Sequence, residues 1–372
     1  METVTPKREH YIINRPENLI FNYHGWPSVC RDERGVLYAV ASSHRLSHIC
    51  PFGLTAMYMS FNEGKTWTPP IIVNDTELDD RDAGIIYMGG GRLLVTWFTH
   101  PADVYRTKYR DFIVNSSKPY MAGVSEAILD ETYAALPEEK RQGGSYVRIS
   151  EDYGVTWSEK IKVPVSAPHG PSLMTDGTLL YLGKNHYGAA SELAEGGIGA
   201  YRSRDFGRTW EFVSALTSPD GLTWNNLHEP HVIDLGNGHL LGAIRAQGDE
   251  VPFGSTMYIT HSHDNGASWS DMECVNEYGL PPHLLLHSSG KVILSYGKRG
   301  DAPVGERALV SSDGGRTWDK MYLLDDRAPS PDYGDLGYPA TAELADGSLL
   351  TVYYQKHGGD SFPSLLATRW EL

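Results

Sequence analysis

The side chains able to do chemistry recur at one kind of place in this chain. His24, Trp26, Asp79, Asp80, Arg81, Asp82, His169, His228, Glu229, His231, His283, Asp335 and Tyr338 lie where a short polar cluster leads into an apolar run, and Arg45, His48, Arg245 and Arg299 belong to the same set. Carboxylates, imidazoles and phenols are the groups that move protons at a reacting centre. Arginine grips a carboxylate through two parallel hydrogen bonds, which fixes its orientation. A polar set repeated at one place in every segment is therefore a candidate binding or catalytic site. The histidines His24, His48, His169, His228, His231 and His283 raise the question of a metal. They show no compact ligand spacing, so binding of ligand hydroxyls, tuning of neighbouring carboxylates or capping of backbone groups is the expectation. No metal and no cofactor are expected. Trp26, Trp97 and Trp224 offer faces for stacking a ligand ring, or pack within strands.

These residues meet only if the segment starts converge. Six segments share the pattern of polar cluster, strand, turn and strand: 24–40, 79–98, 169–183, 228–245, 281–297 and 336–354. Pro171, Pro230, Pro282 and Pro339 occupy matching places in four of them, a blade length apart. A second repeat is offset from the first: SFNEGKTW at 60–67, SEDYGVTW at 150–157, SRDFGRTW at 203–210, SHDNGASW at 262–269 and SSDGGRTW at 311–318. In each copy Asp or Asn closes a side-chain turn and the Gly two residues later supplies a positive φ, so each reads as a hairpin tip with Trp packed under it and Thr-Trp starting a strand. Repeats of this period imply an array of identical β-units. Six four-stranded units closing in a ring predict an all-β, six-bladed propeller as one domain over 1–372. The last unit lacks the turn motif, so strands from both termini, REHYII and SLLATRW, are expected to complete it. In the second unit about thirty residues exceed what a blade of this period needs. This insertion, 99–145, contains a helix-like stretch at 124–142, broken by Pro137. It is expected to decorate the rim, or to form a lid or a dimer contact.

Composition narrows the partners. The chain has 372 residues and a net charge of −15, which argues against nucleic acid. A local arginine cluster can still reverse the field inside a cleft and admit an anionic substrate. No run approaches 18 apolar residues, so no membrane partner is expected. The start, METVTPKREH, has no apolar signal region, and three cysteines make neither a metal site nor a disulfide framework. A cytoplasmic location is the expectation, or a secreted one if a leader was removed.

The five turn motifs on six units resemble the Asp boxes of the sialidase (neuraminidase) superfamily, and the resemblance covers most of the chain. It implies fold more strongly than activity, because non-enzymatic propellers also carry such boxes. HEPHVIDLGNGHLLGAIR is similar to the sialidase segment with a Glu before one strand and an Arg ending the next. It implies Glu229 as the base that polarises a tyrosine, and Arg245 as one of three carboxylate-binding arginines. DLGYPATAELADGSLLTVYY resembles the segment holding the nucleophile, which implies that role for Tyr338. Arg299, and less so Arg307, looks like a further clamp arginine, and Arg45 sits where sialidases place an arginine before the first box. Two positions depart from the family. Gly25-Trp26-Pro27 stands where the family opens with Arg-Ile-Pro. No carboxylate follows Arg45, where the acid/base Asp is expected. The expected replacement acid is His48, or else an Asp of the DDRDAG stretch, Asp80 first among them, with Arg81 then replacing the lost clamp arginine. His24, Trp26, His169, His231, His283 and Asp335 are expected to bind substrate. The leading reading is an exo-acting glycosidase releasing a terminal acidic sugar, sialic acid by default. The alternatives are hydrolysis or β-elimination on another acidic or deoxy-sugar glycan through His/Tyr chemistry, and a non-catalytic glycan-binding propeller. Oligomers through the insertion are possible.

Overall fold

The computed structural model describes residues 1–15, 20–116, 120–300, 303–328 and 334–372. Its strands form six antiparallel sheets, one per segment, and each innermost strand is the one that opens its segment. These strands are Tyr23–Arg31, Arg81–Tyr87, Ser172–Leu173, Leu227–Gly236, Leu280–Leu286 and Gly337–Glu343. This is the six-bladed β-propeller expected from the repeats. The sixth blade closes the ring with both ends of the chain: Arg8–Asn14 forms its outer edge against Pro363–Trp370. A further strand, Glu2–Val4, pairs in parallel with the outer strand of the fifth blade, Lys320–Asp325. The N-terminal segment thus staples two neighbouring blades.

The core is divided among the blade interfaces. One apolar cluster fills each neighbouring pair, such as Leu241, Met257, Leu294 and Leu309 between the fourth and fifth blades. The boxes hold the rim of these interfaces. In the third, Ser203 donates to Asp205 at 2.8 Å, the backbone N–H of Thr209 donates to Asp205 at 2.9 Å, and the Trp210 indole donates to the Gly207 carbonyl at 3.1 Å. Gly207 meets two demands. Its φ is 93°, and a Cβ there would lie 2.3 Å from Leu94 of the preceding blade. Thr-Trp closes the turn instead of starting a strand, and the next strand begins only after the Trp, at Glu211 in this blade.

Residues 99–145 leave the second blade between Leu93–Thr99 and Gly144–Ser150. They form short helical pieces, including Ala102–Arg106, Arg110–Ser116, Ala122–Ala127 and a π-helical turn at Ile128–Thr132. Ala102, Tyr105, Ile113, Leu129 and Tyr133 bury a small core with Leu78. Tyr133 donates to the Pro51 carbonyl at 3.3 Å, and Ser116 bonds Ser47 at 3.1 Å. The insertion therefore braces the loops that carry Arg45, His48 and Asp79.

Candidate active site

Five innermost strands slip register near their starts: between Gly25 and Ser28, Arg81 and Gly84, His228 and His231, Leu280 and His283, and Gly337 and Ala340. Such bulges re-aim a side chain. The residue at the slip is left-handed in four blades: Trp26 (φ 54°), Asp82 (52°), Glu229 (49°) and Tyr338 (52°). Gly170 (φ 77°) and Pro281 take the equivalent places in the third and fifth blades. Pro follows in every blade but the second, where Ala83 does. A left-handed non-glycine residue costs about 1–2 kcal/mol, and a following proline favours extended backbone instead. Strain of this kind collects at functional sites.

The bulges bring Glu229 and Tyr338 together. The Tyr338 hydroxyl donates to Glu229 Oε1, and Arg245 Nη1 donates to Glu229 Oε2 at 2.5 Å and to the Tyr338 oxygen at 3.4 Å. Arg299 stands 5.9 Å from the Tyr338 ring centre and is anchored by the Leu336 carbonyl at 2.8 Å. Burial works to raise the Glu229 carboxyl, but Arg245 and Tyr338 outweigh it and hold the group below its ordinary value. Burial, with Glu229 and Asp82 nearby, pushes the Tyr338 phenol well above its own. A protonated phenol thus faces an ionised carboxylate, the arrangement of a nucleophile and its base.

A second group forms the adjoining wall. Asp335 Oδ1 accepts from Tyr23 at 2.8 Å and Tyr354 at 2.9 Å, and lies 3.0 Å from His48 Nδ1. Burial lowers the His48 imidazole, and Asp335 opposes the shift. The Trp26 ring centre lies 5.0 Å from that of His48 and 6.3 Å from that of Tyr338. Trp26 is buried, with the guanidiniums of Arg81 and Arg45 at 4.3 and 4.8 Å from its ring centre. It walls the pit and offers no open stacking face. Trp97 is likewise buried, stacked on Tyr146.

Several expected residues lie elsewhere. Arg45 is fully buried and held by both oxygens of Asp79, by Ser42 and by the His48 carbonyl, so it cannot clamp a substrate. Arg81 shares the Asp79 and His48 partners but keeps slight exposure at the pit. Asp80 does not reach in as an acid. It accepts from the Thr76 N–H at 3.0 Å, the Thr76 hydroxyl at 2.7 Å and Asn74 at 2.7 Å, closing a local turn. His24 points between blades, towards Asn14 of the sixth blade, because its neighbour Tyr23 takes the inward direction. His169, His231 and His283 touch one another further along the axis, with ring centres 4.6–5.6 Å apart. They line a cavity of about 360 Å³ whose other walls are the later residues of the innermost strands. His231 and His283 accept from the Leu284 and Thr341 N–H groups, which holds them as neutral rings. Among the described residues no group of His, Cys, Asp and Glu is arranged to hold a metal ion.

The pit also contains groups for which the sequence offers no specific catalytic role. Asp82, Phe98, Lys184, His186 and His228 line a small recess against Glu229. Lys184 donates to the Trp224 and Leu227 carbonyls, and burial pulls it down to about 8. Asp82 is raised to about 7, by burial first. Its slot was masked in the sequence: Ala83 follows Asp82 where proline follows Glu229 and Tyr338.

Residues 132–352 match the family described as BNR repeat-like domain. The chain belongs to that family. A search of curated proteins by sequence finds no match. Among solved structures, this BNR-repeat propeller is similar to a protein of unknown function from Dyadobacter fermentans, at 19% identity and a TM-score of 0.74 over 98% of both chains. The NanB sialidase of Streptococcus pneumoniae aligns at 14% identity and a TM-score of 0.68, over 97% of this chain and 70% of that one. The intramolecular trans-sialidase of Ruminococcus gnavus aligns at 16% and 0.66, over 97% of both. At these identities the likeness is one of fold, and that fold is the sialidase propeller.

Proposed function

We propose that this BNR-repeat propeller is an exo-acting glycoside hydrolase of sialidase type that releases a terminal acidic sugar, sialic acid by default, from glycoconjugates. The observation that carries the reading is the hydrogen bond from the Tyr338 hydroxyl to Glu229, with Arg245 bridging both. Tyr338 attacks the anomeric carbon while Glu229 takes the phenol proton. A neutral phenol avoids presenting a negative nucleophile to a substrate carboxylate, which Arg245, Arg299 and Arg81 hold. His48 and Asp82 are the two groups left to serve the leaving oxygen. The test is hydrolysis of a fluorogenic aryl sialoside by wild type, Tyr338→Phe and Glu229→Gln. Turnover by wild type with a loss of about 10²–10⁴-fold in both variants supports the reading. Equal turnover by all three removes it.

One observation favours a second reading, chemistry on a different acidic or deoxy-sugar glycan. Gly25 stands where the resemblance places a clamp arginine, and Asp79 engages Arg45, so fewer cations remain to meet a carboxylate. A folded wild type silent on sialosides but active on uronic-acid glycans selects this reading. An ultraviolet-absorbing unsaturated product then identifies elimination instead of hydrolysis.

A further inference from the structure

The glycosidase reading leaves open which side chain serves the leaving oxygen, and the answer proposed here rests on that reading. We propose that Asp82 is the catalytic acid/base, donating its proton to the departing glycosidic oxygen and then taking one from the incoming water.

The repeat geometry comes first. Asp82 occupies the same left-handed bulge slot, in the second blade, that Glu229 occupies in the fourth and Tyr338 in the sixth. One backbone device therefore delivers all three side chains to the axis. The slot is held rigidly. A Cβ at Gly84, two residues on, would lie 2.5 Å from Thr96 Oγ1, 2.6 Å from the Gly170 nitrogen and 2.7 Å from the His169 carbonyl carbon. The strand is thus pressed against the backbone of the third blade, and Asp82 cannot drift.

The surroundings of the carboxyl come second. Asp82 Oδ1 is buried and has no hydrogen-bond partner, unlike the oxygens of Asp79 and Asp80 beside it in sequence. The recess of about 80 Å³ that Asp82 shares with Glu229 is walled partly by Phe98, Ala167 and Pro168. Burial makes the Asp82 carboxyl resist ionisation, with Arg81 opposing and the Glu229 charge reinforcing it, whereas Glu229 receives Arg245 and Tyr338 and stays ionised. Two carboxyls whose surroundings push them apart divide the acid and base roles between them. His48 is fitted differently. Its Nδ1 is held by Asp335, and burial disfavours the charged ring.

The steps balance. In the first, the bond from Tyr338 oxygen to the anomeric carbon forms and the bond to the leaving oxygen breaks. The phenol proton passes to Glu229 and the Asp82 proton to the leaving oxygen. In the second, water attacks the anomeric carbon, Asp82 takes the water proton, and Tyr338 departs with the proton returned by Glu229. The net reaction is hydrolysis, with every side chain restored.

Two measurements test the proposal. Carbon-13 NMR titration of carboxyl groups, with Asp82→Asn identifying the missing signal, needs no substrate. A signal titrating near neutrality is expected, and one in the ordinary aspartate range overturns the proposal. Kinetics of Asp82→Asn on glycosides of differing leaving groups supplies the second. A loss of about 10²–10⁴-fold is expected where the leaving group needs a proton, a much smaller loss where it is a good phenolate, and partial rescue by azide. Equal losses on both, without rescue, mean that Asp82 only shapes the pit. Full activity of Tyr338→Phe would instead sink the glycosidase reading and leave the titration result standing.

Discussion

At the rim of the third blade Phe206 sits at φ 60°, beside Gly207 at 93°. At the axis of the fourth blade Glu229 sits at φ 49°, before Pro230. Both places force a large side chain into the left-handed region, yet the two regions treat their polar groups in opposite ways. At the rim Asp205 accepts from Ser203, from the Thr209 N–H at 2.9 Å and from the Thr209 hydroxyl at 2.7 Å. At the axis Asp82 Oδ1, Arg81 Nε and Arg245 Nε are buried without a partner. Carboxyl acidity follows. Asp264 and Asp313 in the boxes fall to about 2, while Asp82 rises to about 7. Strain whose polar groups are all satisfied locks a turn. Strain that leaves polar groups open holds them ready for a ligand.

The comparison breaks if rim and axis substitutions affect the same property. Gly207→Ala is expected to cost about 2–4 kcal/mol, combining a left-handed alanine with a methyl driven towards Leu94. Folded Gly207→Ala is expected to keep wild-type activity per molecule. Tyr338→Phe removes one hydroxyl and is expected to shift stability by about 1 kcal/mol or less while lowering any turnover of the sialoside by about 10²–10⁴-fold. Urea midpoints alongside activity measure both. A Gly207→Ala protein that folds as well as wild type would mean that the box does not hold the interface.

How much of this was legible depended on whether a signal repeats. Six segments and five boxes stated the blade count, because identical turns need identical residues. The use of strands from both termini to complete the last unit followed from its lacking a box, and the structure pairs REHYII with SLLATRW there. Glu229, Arg245 and Tyr338 were found through their local segments, and the structure brings them into contact. Arg45, Asp80 and His24 misled because sequence gives a position along a strand but not the partner waiting beside it. Asp79 engages Arg45, Thr76 and Asn74 engage Asp80, and Asn14 meets His24 from the far end of the chain. Asp82 was passed over in favour of Asp80 for a related reason. Which of neighbouring carboxylates enters the pit is decided by the bulge, and Ala83 hides the proline signature of that slot.

A pair of aspartate substitutions sharpens the contrast at smaller magnitude. Asp205→Ala is expected to destabilise by about 1–2 kcal/mol, since the Thr209 N–H and the Ser203 hydroxyl lose their acceptor. Asp82→Asn removes a carboxyl that is buried without full hydrogen bonding, and is expected to leave stability at pH 8 unchanged or higher. Thermal unfolding of the two variants at pH 8 reads the sign. Destabilisation of both by similar amounts would mean that Asp82 has bonding as complete as that of the box residue.

The last expected effect is the most specific, because its direction is fixed by proton linkage. Burial raises the folded value of Asp82 to about 7 from an ordinary 3.8, so between those limits the folded chain holds a proton that the unfolded chain releases. This contribution to stability is complete below about pH 4 and is lost as pH rises through about 7. The absolute stability curve does not isolate it. Asp80, also raised to about 7, acts in the same direction, whereas His24 and His231, lowered to about 3, and His186 and His228, lowered to about 4, gain stability as pH rises towards 6.5. Subtracting wild type from Asp82→Asn cancels the shared groups that do not interact with Asp82, and leaves Asp82 with its neighbours Arg81, Glu229 and Tyr338. The difference is expected to move in favour of the variant between pH 4 and 7 and to level off above. A difference that does not change with pH would place Asp82 among ordinary carboxylates, and the rim and the axis would then differ in geometry but not in acidity.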